Sequence, residues 1–204
     1  MERDFSQYEF LSQRINEIIE NFAFKNDPLE PPSEKEEDLI RAMIVLCHAE
    51  FEDYLEGLAS RIIEHGKLMW IKQGVANRNI ASLFLNSDKF KNDPKLREMD
   101  IRSYAMKQIA DFAKSIQEGN HGIKSKNIEN MYIPLGFSLN DFSQDFLNEL
   151  DQFGYDRGKI AHLSRNKTRE ILDYNNEKRK ILYILAEIDN FEKTICNSEN
   201  EGTA

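Results

Sequence analysis

Apolar residues recur every three to four positions along most of the chain, a spacing that predicts helices. The first stripe lies within residues 5–24 and comprises Phe10, Leu11, Ile15, Ile18, Ile19 and Phe22. Prolines follow it, and Ser33 with Glu36 then has the spacing of a capping box, so a second helix is expected to begin there. The apolar stripe of this helix continues to Ile63, with Gly57 as a candidate bend and Gly66 as the expected end.

The middle of the chain predicts shorter helices, over 79–90, from 93–94 to about 117, and over 123–133, with a loop over 118–122. Residues 139–164 again have helical spacing, with Asn140 or Asp141 as the candidate cap, and the last helix is predicted over 171–196. No stretch alternates apolar and polar residues as a half-buried strand does. The sequence therefore predicts an all-α antiparallel bundle with short helices inserted midway.

This bundle divides into three expected parts. Residues 1–30 form an N-terminal helix that packs on the bundle, residues 33–196 form the helical domain, and residues 197–204 form a disordered tail. The total length of 204 residues suits one domain or at most two small ones. Narrow apolar stripes on polar helices often leave an edge for a partner, so self-association is expected.

Composition excludes several classes of protein. The longest apolar run covers only residues 42–47, whereas a membrane span needs roughly 20 residues. The first residues have neither the basic nor the apolar segment of a signal peptide, so we expect a cytoplasmic protein without membrane contact. Cys47 and Cys196 have no partner at zinc-ligand spacing and are expected to be buried thiols. A net charge of −9 argues against coating nucleic acid through bulk charge.

The segment 149–164 carries the candidate chemistry. Arg157 and His162 are five residues apart, which places them about 140° apart around a helix. The arc between them holds only Gly154, Gly158 and Ala161, small residues that would let a phosphate or another helix approach the backbone. The two side chains cannot touch unaided, but two copies of the chain facing each other across a two-fold axis would bring both pairs together.

A basic island surrounds this pair. Residues 157–169 include five cations and no acid until Glu170: Arg157, Lys159, Arg165, Lys167 and Arg169. The island suits a polyanion, but it equally suits a solvated helix end whose cations are favoured by the helix dipole. Tyr155, Lys159, Ser164 and Arg165 are therefore candidate substrate-binding residues, with surface or capping roles as the alternative.

One further pair lies upstream. His48 and Glu52 are four residues apart on one helix face, so Glu52 either orients a catalytic histidine or forms an ordinary helix-surface pair. The sequence contains neither the two helical Glu-x-x-His motifs of di-iron bundles nor a glycine-rich phosphate loop. No metal and no cofactor are expected.

Residues 157–162, read as Arg-Gly-Lys-Ile-Ala-His, resemble the R-x4-H signature of HEPN domains, especially the RiboL-PSP branch. Residues 41–55 resemble that branch's early helix, with an aliphatic run and an acid before an aromatic residue. Residues 127–131 followed by 135–137 resemble the segment before its motif. The likeness covers roughly 37–191. The chain departs from the pattern at Gly158, where a polar residue usually follows the arginine, and at Leu163, where a small residue is common.

The resemblance implies a homodimeric, HEPN-like helical bundle that acts as a metal-independent endoribonuclease, often a toxin or an antiphage effector. Arg157 and His162 would be the catalytic residues. RNA supplies its own nucleophile, the ribose 2′-OH, so the product would be a 2′,3′-cyclic phosphate. Because the chain shows no sensor domain, we expect control in trans, by an antitoxin or another regulatory protein.

Two other functions remain open from the sequence. A non-catalytic HEPN-like module would bind RNA, a nucleotide or a partner protein through the same arc. A helical adaptor would use the small residues only to dock a partner helix.

Overall fold

The structure, a computed structural model, describes residues 5–25, 30–86, 98–162 and 172–201. In these ranges it contains seven α-helices, one short 3-10 turn at Leu139–Asp141 and no β-strand. The helices are α1 (Phe5–Asn21), α2 (Glu34–Gln73), α3 (Arg78–Leu85), α4 (Ile101–Gly119), α5 (Ser125–Tyr132), α6 (Gln144–His162) and α7 (Tyr174–Glu201). The predicted all-α bundle with short helices in its middle is confirmed.

Helix α2 forms the centre of the bundle, and each of the other six helices packs against it. Its inward face is apolar from Ile40 to Ile63 except for the buried His48, and a single hydrophobic core joins that face to the surrounding helices. The Ser33 side chain accepts a hydrogen bond from the Glu36 amide, and the Glu36 carboxylate accepts one from the Ser33 amide. The predicted capping box is therefore present.

The predicted end of α2 at Gly66 is wrong. The helix runs 40 residues without a break at Gly57 and ends at Gly74, which adopts the left-handed backbone (φ 68°) that favours glycine. Gly66 is buried inside the helix, where a Cβ atom would lie 2.5 Å from Ile80 Cγ1 on α3. This glycine is needed for close packing of two helices, a role that its position in the sequence does not separate from a helix stop.

Three other helix boundaries differ from those predicted: the start of α4, the cap of α6 and the end of α7. Asp100 caps α4 by accepting hydrogen bonds from two backbone amides, so no helix continues through 98–100. The predicted start at 93–94 lies outside the described residues. Ser143, rather than Asn140 or Asp141, caps α6 by accepting from the Phe146 amide at 3.2 Å. Helix α7 continues to Glu201, so residues 197–201 are helical where the sequence predicts a frayed tail.

The prediction that the apolar stripe of α1 faces the core is only partly correct. Leu11, Ile15, Ile18 and Ile19 are buried in the core, but Phe10 is 70% exposed. A residue at the edge of an amphipathic stripe is buried only if a neighbouring helix reaches it. Phe10 instead borders an open pocket of about 310 Å³ between α1 and α2.

Contacts with α2 and α7 hold helix α6 in place. Phe146 and Phe153 are buried in the core, and Phe153 packs edge-on against Phe51 of α2. On the other side, Lys180 Nζ of α7 lies 2.9 Å from Glu177 Oε1 in the same helix and 3.7 Å from Asp156 Oδ2 of α6. Burial raises the pKa of Glu177, and the bond to Lys180 opposes that shift. These contacts fix the orientation of α6 and therefore of the residues on its outer face.

Candidate nucleic-acid interface on helix α6

Helix α6 carries both residues of the candidate pair. His162 is its last residue and is exposed, whereas Arg157 lies one and a half turns earlier and is partly buried. Their separation along the helix axis is about 7.5 Å, at 1.5 Å per residue. The structure thus keeps the imidazole open to solvent at the helix end, and it does not bring the two side chains into direct contact within one chain.

The Arg157 guanidinium has unused hydrogen-bonding capacity. Within the described residues its Nε is buried and has no hydrogen-bond partner, and the guanidinium forms no ion pair. A planar guanidinium with free N–H groups can bind two oxygens of a phosphate at once. The described residues therefore leave part of the hydrogen-bonding capacity of Arg157 unfilled.

One of the two interpretations of the sequence, that His48 and Glu52 form a pair on the helix surface, is wrong. His48 is only 2% exposed, its ring stacks on Phe153 at 6.2 Å between centroids, and its Nδ1 lies 3.5 Å from Glu52 Oε2. Burial, together with the positive charges of Arg157 and Lys124, lowers the pKa of His48 to about 4. A buried imidazole that stays neutral beside two cations is a packing group, so it does not supply the second exposed histidine of a catalytic pair.

Glu52 instead anchors the loop between α4 and α5. Its Oε1 accepts a short hydrogen bond from the backbone amide of Gly122, which has a positive φ of 118° that suits glycine. At the other end of the loop, Asp151 of α6 accepts hydrogen bonds from the Ser125 amide at 2.8 Å and from its hydroxyl at 2.9 Å. The loop is therefore tied to both α2 and α6.

The arc of small residues is open at one end only. At Gly154 a Cβ atom would lie 2.8 Å from Lys124 Cγ, because the Lys124 side chain from the loop lies across this glycine. At Gly158 no atom of the described residues lies within 4 Å of such an atom, and Ala161 is exposed. The surface that a phosphate or a second chain could approach is thus limited to the Gly158 end, beside Arg157 and His162.

Tyr155 and Lys159 lie next to this open surface. Tyr155 is 52% exposed, and Lys159 Nζ lies 4.5 Å from its ring centroid. Lys124 Nζ approaches the same ring at 5.8 Å. Lys124 is absent from the residues that the sequence predicts for the site, because only the folded loop brings it beside α6 and no local pattern marks it.

Other predicted site residues cannot be placed. Ser164 and Arg165, like Lys167 and Arg169 of the basic island, lie outside the described residues. Cys47 and Cys196 are buried as predicted, and burial raises the pKa of the Cys47 thiol to about 12. Among the described residues, no three His, Cys, Asp or Glu side chains are placed to hold one metal ion. In the same ranges, no helix combines the length and apolar character that crossing a bilayer requires.

Comparison with known proteins places this arrangement in a family. The model of the family described as RiboL-PSP-HEPN matches residues 9–197, which includes most of α1 and all of α6. Searches of curated proteins and of solved structures found no match. Because the family match covers more than nine-tenths of the sequence, the chain belongs to the RiboL-PSP-HEPN family.

Proposed function

We propose that this protein is a metal-independent endoribonuclease in which Arg157 and His162 act on the scissile phosphate. The observation that carries this proposal is their placement on one helix of a RiboL-PSP-HEPN chain. His162 is exposed, and Arg157 has an unpartnered Nε among the described residues. Both lie beside Gly158, the open end of the small-residue arc.

The reaction needs a proton acceptor, a proton donor and a cation. The ribose 2′-oxygen forms a bond to phosphorus and gives its proton to an imidazole, while the bond from phosphorus to the 5′-oxygen breaks and that oxygen takes a proton. Arg157 pairs with the non-bridging oxygens and stabilises the charge that grows on them. The products are a 2′,3′-cyclic phosphate and a 5′-hydroxyl.

One imidazole does not readily do both proton transfers at once, which favours a homodimer. Two copies of α6 facing each other across a two-fold axis would supply one histidine as base and the other as acid. The open surface at Gly158 leaves space for such an approach. Sedimentation of the purified protein would then show a dimer, and a strictly monomeric, fully active protein would contradict this part of the proposal.

Cleavage is tested with purified protein and mixed RNA in the presence of EDTA. His162→Ala should lose activity by about 10²–10⁴-fold, the usual contribution of a general acid–base residue. His121→Ala, which replaces another exposed histidine, is the matched control and should retain activity. Equal cleavage by His162→Ala, or no cleavage of any RNA by the wild type, would contradict the proposal.

The biological role that we propose is a toxin or antiphage effector that works in the cytoplasm and is restrained in trans by an antitoxin or another regulatory protein. Overexpression of the wild type should then slow growth, and overexpression of His162→Ala should not. Equal growth of the two strains would contradict this role but would leave the enzymatic proposal standing.

A second function is favoured by Gly158, which stands where a polar residue usually follows the motif arginine, and by the net charge of −9. In this alternative the protein binds RNA, a nucleotide or a partner protein without cleavage. Saturable binding of RNA with no product would support it, with Arg157→Ala weakening the affinity and His162→Ala having little effect.

A further inference from the structure

We propose that Tyr155, Lys124 and Lys159 form a binding site for one unpaired nucleotide of a single-stranded RNA. The Tyr155 ring would stack against the base, and the two lysines would bind the neighbouring phosphates. This inference rests on the proposed function and specifies its substrate as unpaired RNA that runs along α6 toward His162.

The first support is the alignment of these residues along α6. Asp151, Tyr155, Lys159 and His162 follow one another at intervals of four, four and three residues, so they lie on one face of the helix. Tyr155 and His162 are two turns apart, about 10 Å along the axis. A short length of extended single strand that lies on this face would contact both.

The second support is the way in which Lys124 is held. The Lys124 carbonyl accepts hydrogen bonds from the Asn127 and Ile128 amides at 2.8 and 3.1 Å, and the next residue, Ser125, is bonded to Asp151. The aliphatic part of the Lys124 side chain crosses Gly154, where any larger residue would meet it. A lysine from a separate loop is thus fixed beside the exposed face of α6 before any ligand binds.

The third support is the chemistry of the cluster. An aromatic ring that is half exposed and flanked by two ammonium groups, at 4.5 and 5.8 Å, has the parts that single-strand binding proteins combine, namely a stacking surface and backbone-tracking cations. Cation–π attraction holds the two ammonium groups near the ring. The cluster carries local positive charge in a chain whose net charge is −9.

The probe is a mixed-sequence single strand of 2′-O-methyl RNA, which cannot be cleaved because its 2′-oxygen is blocked, and an abasic strand of the same length. Affinity is measured by fluorescence anisotropy at several salt concentrations. The variants are Tyr155→Leu, Tyr155→Phe and Lys124→Met, which keeps the apolar side chain over Gly154 but removes the charge. Lys126→Met is the matched control, because Lys126 pairs with Glu129 at 2.9 Å and its side chain is 75% exposed.

Tyr155→Leu should weaken binding of the base-containing strand by about 5- to 150-fold, the range that stacking on an aromatic ring covers, and should leave the abasic strand unaffected. Tyr155→Phe keeps the ring and should bind like the wild type. Lys124→Met should weaken both strands and lower the slope of log affinity against log salt by about 0.7, the value for one lost phosphate contact on a single strand. Lys126→Met should change neither.

The outcomes separate this inference from the proposed function. If the wild type cleaves RNA but Tyr155→Leu and Lys124→Met bind both strands like the wild type, the inference is overturned and the nuclease stands. If the variants behave as expected but no RNA is cleaved, the binding site stands and the nuclease does not. A wild type that neither binds nor cleaves RNA overturns both, and urea unfolding of each variant identifies any loss of affinity that comes from unfolding.

Discussion

Acid should destabilise this protein through His48. The ring is 2% exposed, stacks on Phe153, and has Arg157 and Lys124 as cationic neighbours and Glu52 as its one carboxylate neighbour among the groups that face it. Its pKa is lowered from the usual 6.5 to about 4. The unfolded chain therefore takes up a proton at this residue before the folded protein does, so stability is lost as the pH falls from about 6.5 toward 4.

The size of the effect follows from the two pKa values. With about 6.5 for the unfolded chain and about 4 for the folded protein, lowering the pH from about 7.5 to about 5 costs about 2 kcal/mol of unfolding free energy at this one residue. Carboxyl groups also titrate across this range, and they do so both in the wild type and in a His48 variant. The difference between the two proteins therefore isolates the contribution of His48.

The assay is urea unfolding of the wild type and of His48→Gln near both pH values. The wild type should lose about 2 kcal/mol more than the variant on acidification. The ring proton signal of His48 in the wild type should also stay at its neutral position until well below pH 6, which provides a check that does not depend on how well the variant folds. Equal losses in the two proteins, or a ring that titrates near 6.5, would refute the reasoning.

Substitutions at three glycines supply the remaining predictions. Gly66→Ala should lower the free energy of unfolding, measured in urea, by about 1–3 kcal/mol, because the new methyl group would lie 2.5 Å from Ile80 Cγ1. In the control variant Gly57→Ala the methyl group would lie 3.6 Å from the flexible end of Arg61, so this variant should be neutral or slightly stabilising. Equal stability of the two variants would contradict the packing role of Gly66. The methyl group of Gly158→Ala would meet no atom of the described residues within 4 Å, so this variant should stabilise α6 by about 0.5–1 kcal/mol and retain cleavage. Gly158→Leu should keep the fold but lose cleavage at least about tenfold. A fully active leucine variant would show that neither substrate nor a second chain approaches there.

Local patterns in the sequence account for much of the fold. The all-α architecture, the capping box at Ser33 and the inward faces of α2 and α6 follow from apolar spacing and capping chemistry, which are properties of residues near one another in the chain. The end of α2 could not be predicted in the same way. Gly66 and Gly74 look alike in sequence, and only the packing of α3 against Gly66 shows which of them ends the helix.

The candidate site also contains residues that the sequence predicts and residues that only the tertiary fold brings together. Arg157 and His162 are recognisable from their spacing on one helix and from the family resemblance. The bond from Gly122 to Glu52 and the approach of Lys124 to Tyr155 depend on the loop between α4 and α5, and His48 stacks on Phe153 only because α6 packs against α2. These contacts join residues 31 to 105 positions apart, so they arise from the tertiary fold and leave no periodic signal.

The central position of α2 makes the molecule indivisible as a folding unit. Every other described α-helix packs against α2, so no group of these helices has a separate hydrophobic core that would survive the loss of α2. Amide hydrogen exchange should accordingly be slowest along the middle of α2. Proteolytic fragments that lack part of α2 would be expected to unfold rather than persist as smaller domains.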